Sequence, residues 1–118
     1  MPKTIDWLYF RKSCITCQKA KKHIDAGGIS VKETVDARTV RYGDDEALAL
    51  LHGIHTLTAM RGAKIETFDL KKDRPDDDAL LAKLIGPSGN LRAPTARVGS
   101  TLLVGFNPDA YRQTLGGV

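Results

Sequence analysis

The segment RKSCITCQK (residues 11–19) contains both cysteines of the chain, Cys14 and Cys17, with two residues between them. A Cys-x-x-Cys pair can be half of a zinc site, a structural disulfide or a pair of thiols that exchanges electrons with a substrate. Two cysteines this close cannot cross-link distant parts of a domain, and in a reducing compartment such a pair is more often catalytic or metal-binding than structural. The spacing therefore favours redox or metal chemistry.

A zinc site would need further ligands, and the segment HGIH offers His52 and His55. Zinc fingers leave about three to five residues between their histidines and about 12 to 15 between the two pairs. Here two residues separate the histidines, and 34 separate Cys17 from His52. A helix is also predicted to begin between the cysteines, where a zinc knuckle has a glycine-bearing turn. We therefore favour redox chemistry over zinc or an inert pair, and we expect no bound metal or organic cofactor.

The cysteines lie where a predicted strand is followed by a predicted helix. The segment IDWLYF (5–10) is rich in aromatic and β-branched residues, which favours a strand. Helix-forming residues then continue to the glycines at 27–28, which predict a helix end. The segment ISVKETVDA (29–37) alternates as a strand does. This β-α-β order predicts two parallel strands joined by a right-handed crossover.

The two sulfurs should have different surroundings. Cys17, Ala20 and Ile24 recur at helical spacing, so the Cys17 thiol should face the sheet and be shielded. Cys14 comes at or just before the start of the helix, where unpaired N–H groups and the positive end of the dipole favour a thiolate. Lys12 is close enough in sequence to add to this effect. The pattern predicts that Cys14 is the nucleophile and Cys17 the thiol that resolves a mixed disulfide.

The rest of the chain completes an α/β pattern. Residues 43–88 are predicted as mostly helical, with a short helix and then a turn or brief strand over residues 55–68. Two strands, Thr95–Val98 and Thr101–Phe106, flank a Gly-Ser pair that is typical of a type II′ hairpin turn. The last helix should have Asn107 as its N-cap, proline in its first turn and glycine after its end. We predict one domain over residues 1–118.

Composition limits the classes of function. The 118 residues are 42% hydrophobic and 27% charged, with a net charge of +4. There is no apolar run of roughly 20 residues and no signal-peptide pattern, so we expect a cytoplasmic protein without membrane contact. The basic residues near the cysteines lack the aromatic residues typical of nucleic-acid sites, so no nucleic-acid partner is expected. These basic residues are Arg11, Lys12, Lys19, Lys21 and Lys22.

Three segments make the chain resemble the arsenate-reductase-like, Spx-related branch of the thioredoxin-like superfamily: LYFRKSCITCQKAKKHI, LRAPTARVG and LLVGFNPDAYRQTL. The resemblance covers nearly the whole length. It implies a thioredoxin-like fold with a helical insertion at about residues 43–88. In this superfamily a cis proline lies against the active-site cysteines, and Pro94 holds that position here.

The resemblance implies a thiol–disulfide oxidoreductase with Cys14 and Cys17 as its catalytic residues. Pro94 would position the substrate, Arg92 would bind a carboxylate or glutathione, and Lys12 would support the thiolate. Glutathione or a thioredoxin system would supply electrons. The partner would be a thiol or disulfide substrate, glutathione or another protein, and we expect a monomer.

Two departures from the family pattern weaken a role in arsenate reduction. Arsenate reductases of this type carry arginine directly before the proline and at the last strand-to-helix junction, where this chain has Ala93 and Phe106. Arg92, one residue removed, could compensate, and Arg61 lies in the predicted helical middle, where the family has a further arginine. Oxyanions are best held by several guanidinium groups. Arsenate reduction stays an alternative, as does an Spx-type regulator that uses its CxxC as a switch and binds RNA polymerase.

Overall fold

A computed structural model describes residues 4–115 as a six-stranded mixed sheet with four helices. The elements are β1 (Trp7–Phe10), α1 (Ile15–Ala26), β2 (Thr34–Asp36), α2 (Asp44–Ala49), β3 (Thr56–Arg61), β4 (Lys64–Asp69), α3 (Asp77–Leu84), β5 (Thr95–Val98), β6 (Thr101–Val104) and α4 (Pro108–Leu115). The strand order is β2-β1-β5-β6-β3-β4. β1 and β2 are parallel, as predicted, and β5 and β6 form the predicted antiparallel hairpin.

The prediction of a short helix within residues 55–68 is wrong. This segment forms the antiparallel hairpin β3–β4, and the supposed helical insertion at 43–88 therefore contains two strands as well as two helices. Four consecutive residues of β3, Leu57 to Met60, are buried. β3 lies between β6 and β4 inside the sheet. A strand covered on both faces loses its alternation, so its sequence pattern resembles that of a buried helix.

The hydrophobic core is divided between the two faces of the sheet. The adjacent β6 residues Leu102 and Leu103 belong to different core clusters. Leu103 lies in the cluster that contains Ile24 of α1 and Tyr111 of α4, whereas Leu102 lies in the cluster that contains Leu80 of α3. Neighbouring strand residues point to opposite faces, so helices cover both sides of the sheet.

The C-terminal end of α1 and the N-terminal end of α4 follow the sequence signals. Gly27 caps α1, and Gly28 follows with a φ of +64°. The Asn107 Oδ1 accepts hydrogen bonds from the backbone N–H groups of Asp109 and Ala110, as expected of an N-cap residue. The glycine predicted to follow α4 lies outside the described residues. Among residues 4–115, no helix is long and apolar enough to cross a membrane.

Candidate functional site

The two thiols lie at the start of α1 with the predicted difference in exposure. Cys14 is the N-cap residue of α1, and its side chain makes no capping hydrogen bond. It is partly exposed, whereas Cys17 is 0% exposed, and both are free thiols. Cys17, Ala20 and Ile24 form the buried face of α1, which confirms the helix phase predicted from their spacing.

The two sulfurs also differ in their contacts. The Cys17 Sγ accepts a hydrogen bond of 3.4 Å from the backbone N–H of Arg11. Burial raises the pKa of the Cys17 thiol to about 12, the neighbouring Cys14 thiol adds to this shift, and the Arg11 N–H opposes it. The Cys14 Sγ lies 3.8 Å from the carbonyl oxygen of Ala93, to which the thiol donates. Because its pKa is raised, the buried Cys17 sulfur is protonated at neutral pH.

The loop before β5 lies against Cys14. The peptide bond between Ala93 and Pro94 is cis. The carbonyl oxygen of Pro94 accepts a hydrogen bond of 2.8 Å from the Gly105 N–H, and the Thr95 hydroxyl donates to the Arg92 carbonyl at 2.6 Å. These bonds fix the loop on both sides of the proline, so the Ala93 carbonyl beside Cys14 has a defined position.

Arg92 is half-buried, and its guanidinium group donates hydrogen bonds to the protein backbone. It donates hydrogen bonds to the carbonyl oxygens of Met60 at 2.7 Å and Lys83 at 3.4 Å. Burial lowers the pKa of Arg92, and the charge of Arg61 lowers it further. Arg61 lies at the end of β3 and not in a helix as expected. It lines a second cavity together with Lys64. The arrangement gives Arg92 a structural role in addition to any ligand contact.

Lys12 and Phe106 are not among the residues described along the cavity beside Cys14. Lys12 is exposed, and its carbonyl oxygen accepts a hydrogen bond of 3.1 Å from the Gln18 side chain. Within residues 4–115 its ammonium group makes no hydrogen bond or ion pair. The Phe106 ring packs on Tyr111 and His23, with ring centroids 4.9 and 5.7 Å apart. His23 is half-buried, and burial lowers its pKa.

A cavity of about 980 Å³ opens beside Cys14. The residues described along its wall include four arginines and neither aspartate nor glutamate. The arginines are Arg11, Arg38, Arg41 and Arg92. Sequence reasoning missed Arg38 and Arg41 as site residues. Their position in the chain could have indicated this role. Arg38 and Arg41 lie in the loop after β2, and Arg11 follows β1. Because β1 and β2 are parallel, their carboxyl ends meet at one edge of the sheet.

The histidines considered as zinc ligands do not join the cysteines. Within the described part of the chain, no group of three or more His, Cys, Asp or Glu residues could hold a metal ion. His52 is exposed and lies on another cavity, with Asp6 and Trp7. The residue types at Cys14 thus fit thiol chemistry and anion binding.

Comparison with known proteins supports the fold. The chain matches the sequence model of the ArsC family over residues 9–114. A solved structure titled as the YffB protein is similar, with 24% sequence identity, a TM-score of 0.54, and coverage of 92% of this chain and 97% of that one. No curated protein matches the chain by sequence. The matches confirm the α/β, thioredoxin-like fold predicted from the sequence.

Proposed function

The chain belongs to the ArsC family, and from this premise we propose that it is a thiol–disulfide oxidoreductase. The observation that carries the proposal is the placement of the two sulfurs. An accessible thiol at the N-terminus of α1 opens onto a large cavity, and a fully buried thiol follows within the first turn of the same helix. This asymmetry suits a nucleophile that meets the substrate and a second thiol that does not.

The proposed reaction has two exchange steps. The Cys14 thiolate attacks one sulfur of a disulfide substrate, which forms a mixed disulfide and releases one thiolate. Cys17 then loses its proton and attacks the Cys14 Sγ, which releases the second thiolate and leaves a Cys14–Cys17 disulfide. Two electrons pass from the protein to the substrate. A thiol reductant such as glutathione or a thioredoxin would restore the dithiol, and we place the reaction in the cytoplasm, where such reductants are present.

Different observations support the roles that we propose for Pro94, Arg92 and Lys12. Pro94 and the carbonyl of Ala93 would present polar backbone to the substrate beside the attacking sulfur, which the contact of the Ala93 carbonyl with the Cys14 thiol supports. Arg92 would orient this wall through its bonds to Met60 and Lys83, and its remaining donors would face a ligand. Lys12 would act only through its charge, because its ammonium group makes no hydrogen bond or ion pair within residues 4–115.

The proposal predicts that the reduced protein reacts at Cys14 first and turns over a simple disulfide. A limiting dose of iodoacetamide should label Cys14, because Cys17 is buried. The intact protein should catalyse the reduction of bis(2-hydroxyethyl) disulfide by dithiothreitol. Peptide mass spectrometry and a coupled absorbance assay measure the two results.

Protein alkylated at Cys14 provides the control for the turnover assay. First labelling at Cys17 would reverse the assigned roles. Turnover no faster than that of the alkylated control, with a disulfide that still forms reversibly, would favour a redox-switched regulator. Reductant consumption that requires arsenate would favour an arsenate reductase.

The raised pKa of Cys17 predicts that the second step accelerates with pH. With a pKa raised this far above neutral, the thiolate is a small minority at pH 7, and its fraction grows roughly tenfold per pH unit across the neutral range. Closure of the Cys14–Cys17 disulfide should follow this increase between pH 6 and 9. Acid quenching and mass spectrometry of a single turnover would separate the mixed and internal disulfides. A closure rate that does not vary with pH would show that a base removes the Cys17 proton.

A further inference from the structure

The charged side chains described along the cavity beside Cys14 are all arginines. Arg11 follows β1, and Arg38 and Arg41 belong to the loop after β2. All three side chains are exposed. Within residues 4–115, none of them lies within the 4.0 Å ion-pair distance of a carboxylate. Asp36, close by in sequence, accepts the backbone N–H of Arg38 through its Oδ1 at 2.9 Å, so this contact does not involve the guanidinium.

The loop that carries Arg38 and Arg41 is held in place by hydrogen bonds on both sides. The Tyr9 hydroxyl donates to the Val40 carbonyl at 2.6 Å, between the two arginines. The Ala37 N–H donates to the Phe10 carbonyl at 2.9 Å, and the Leu91 N–H donates to the Tyr42 carbonyl at 2.7 Å. A loop fixed in this way loses little conformational entropy when a ligand binds.

We propose that Arg38 and Arg41, together with Arg11, form an anion subsite that selects low-molecular-mass disulfides carrying carboxylates for attack by Cys14. The inference rests on the proposed function and names its substrate class. Guanidinium groups bind carboxylates through paired, charge-assisted hydrogen bonds. The cavity of about 980 Å³ matches the upper end of the roughly 300 to 1,000 Å³ of small-molecule sites. A compound of this size can place a carboxylate at the arginines while its sulfur meets Cys14.

The subsite leaves the electron balance of the reaction unchanged. The Cys14 thiolate attacks one sulfur of the dicarboxylate disulfide, and one carboxylate-bearing thiolate leaves. Closure of the Cys14–Cys17 disulfide releases the second. The disulfide gains two electrons, the protein dithiol loses two, and a thiol reductant restores the dithiol. The arginines act only by binding charge, so they change which disulfide reacts and not what the reaction is.

The first test compares the alkylation of Cys14 by iodoacetate and iodoacetamide, which differ in charge and little in size. The rate ratio of the anionic to the neutral reagent should fall at least about threefold in the double variant Arg38→Gln/Arg41→Gln, because two nearby cations are lost. The control is Arg74→Gln/Arg97→Gln, which removes the same charge from exposed arginines away from this cavity and should keep the wild-type ratio. An equal ratio in all three proteins would overturn the subsite.

The second test measures kcat/KM for three small disulfides with dithiothreitol as reductant. These are dithiodiglycolate, a dicarboxylate; bis(2-hydroxyethyl) disulfide, which is neutral; and cystamine, a diammonium compound. The wild type and the Arg74/Arg97 control should prefer the dicarboxylate, and 0.5 M salt should reduce that preference. The Arg38/Arg41 variant should lose most of it, and circular dichroism would check its fold.

The two tests separate the failure of the subsite from the failure of the proposed function. A dicarboxylate preference that survives in the Arg38/Arg41 variant would overturn the subsite and leave the oxidoreductase in place. Absence of turnover with all three disulfides would overturn the oxidoreductase and the substrate class with it. In that case a lower iodoacetate ratio in the variant would still support anion binding, because alkylation requires only the Cys14 thiol.

Discussion

Replacing Cys14 with serine is expected to reduce disulfide turnover to the level of the uncatalysed reaction, a loss of at least roughly a thousandfold. A serine hydroxyl cannot form a disulfide, so the first exchange step is lost. The chain has two cysteines, and the other one, Cys17, is 0% exposed. The buried thiol cannot meet a substrate in place of Cys14. Turnover of bis(2-hydroxyethyl) disulfide with dithiothreitol would measure the loss.

The matched variant Cys17→Ser tests the order of the two steps. It keeps the nucleophile and loses the resolving thiol, so the protein should accumulate as a mixed disulfide at Cys14 when no other thiol is added. Intact mass spectrometry would detect the adduct, and added reductant should remove it. Activity retained by Cys14→Ser but lost by Cys17→Ser would contradict the assigned roles.

The roles of the two sulfurs could be predicted from the sequence because they depend on local geometry. One helix start and one helical period decide which cysteine is exposed and which is buried, and both signals lie within residues 11–28. The C-terminal end of α1 and the start of α4 were predictable for the same reason, since caps such as Asn107 act over three or four residues. The fold of β1, α1 and β2 follows from similar short patterns.

β3 could not be recognised in the same way, because its pattern depends on what covers the two faces of the sheet. Leu57 to Met60 are buried without alternation because Met60 packs in one core cluster and Leu57 in the other. Nothing in the segment itself states that both faces are covered. The choice between helix and strand for a short apolar run is settled by tertiary context.

The wall of the cavity also depends on distant parts of the chain. Arg11, Arg38 and Arg41 come together with Ala93 and with four residues of the preceding loop, although these segments are far apart in sequence; the four are Gly86, Pro87, Ser88 and Asn90. The sequence contains eighteen lysines and arginines in all. Which of them face Cys14 depends on the parallel pairing of β1 with β2 and on the path of the loop before β5. A reading of residues one segment at a time therefore finds the nucleophile but not its electrostatic surroundings.

Replacing Gly105 with alanine is expected to lower the free energy of unfolding by roughly 2 to 5 kcal/mol. Gly105 has a φ of +92°, a conformation that a residue with a Cβ rarely adopts. An added Cβ would also lie 2.3 Å from the Met60 carbonyl oxygen and 3.0 Å from the Arg92 Nη2. The Arg92 guanidinium is hydrogen-bonded to that same carbonyl. The side chain would therefore push apart the contacts that connect β3 to the wall beside Cys14.

A second glycine separates the two causes of this loss. Gly89 has a φ of +82°, and an added Cβ there would meet nothing within 4 Å. Gly89→Ala should therefore cost only the backbone strain, about 1 to 2 kcal/mol, and urea unfolding of both variants would give the difference. Equal losses would mean that the Met60 and Arg92 contacts add nothing. A larger loss for Gly105→Ala, with slower alkylation of Cys14, would mean that the close approach of Gly105 to β3 holds both the fold and the reactive wall in place.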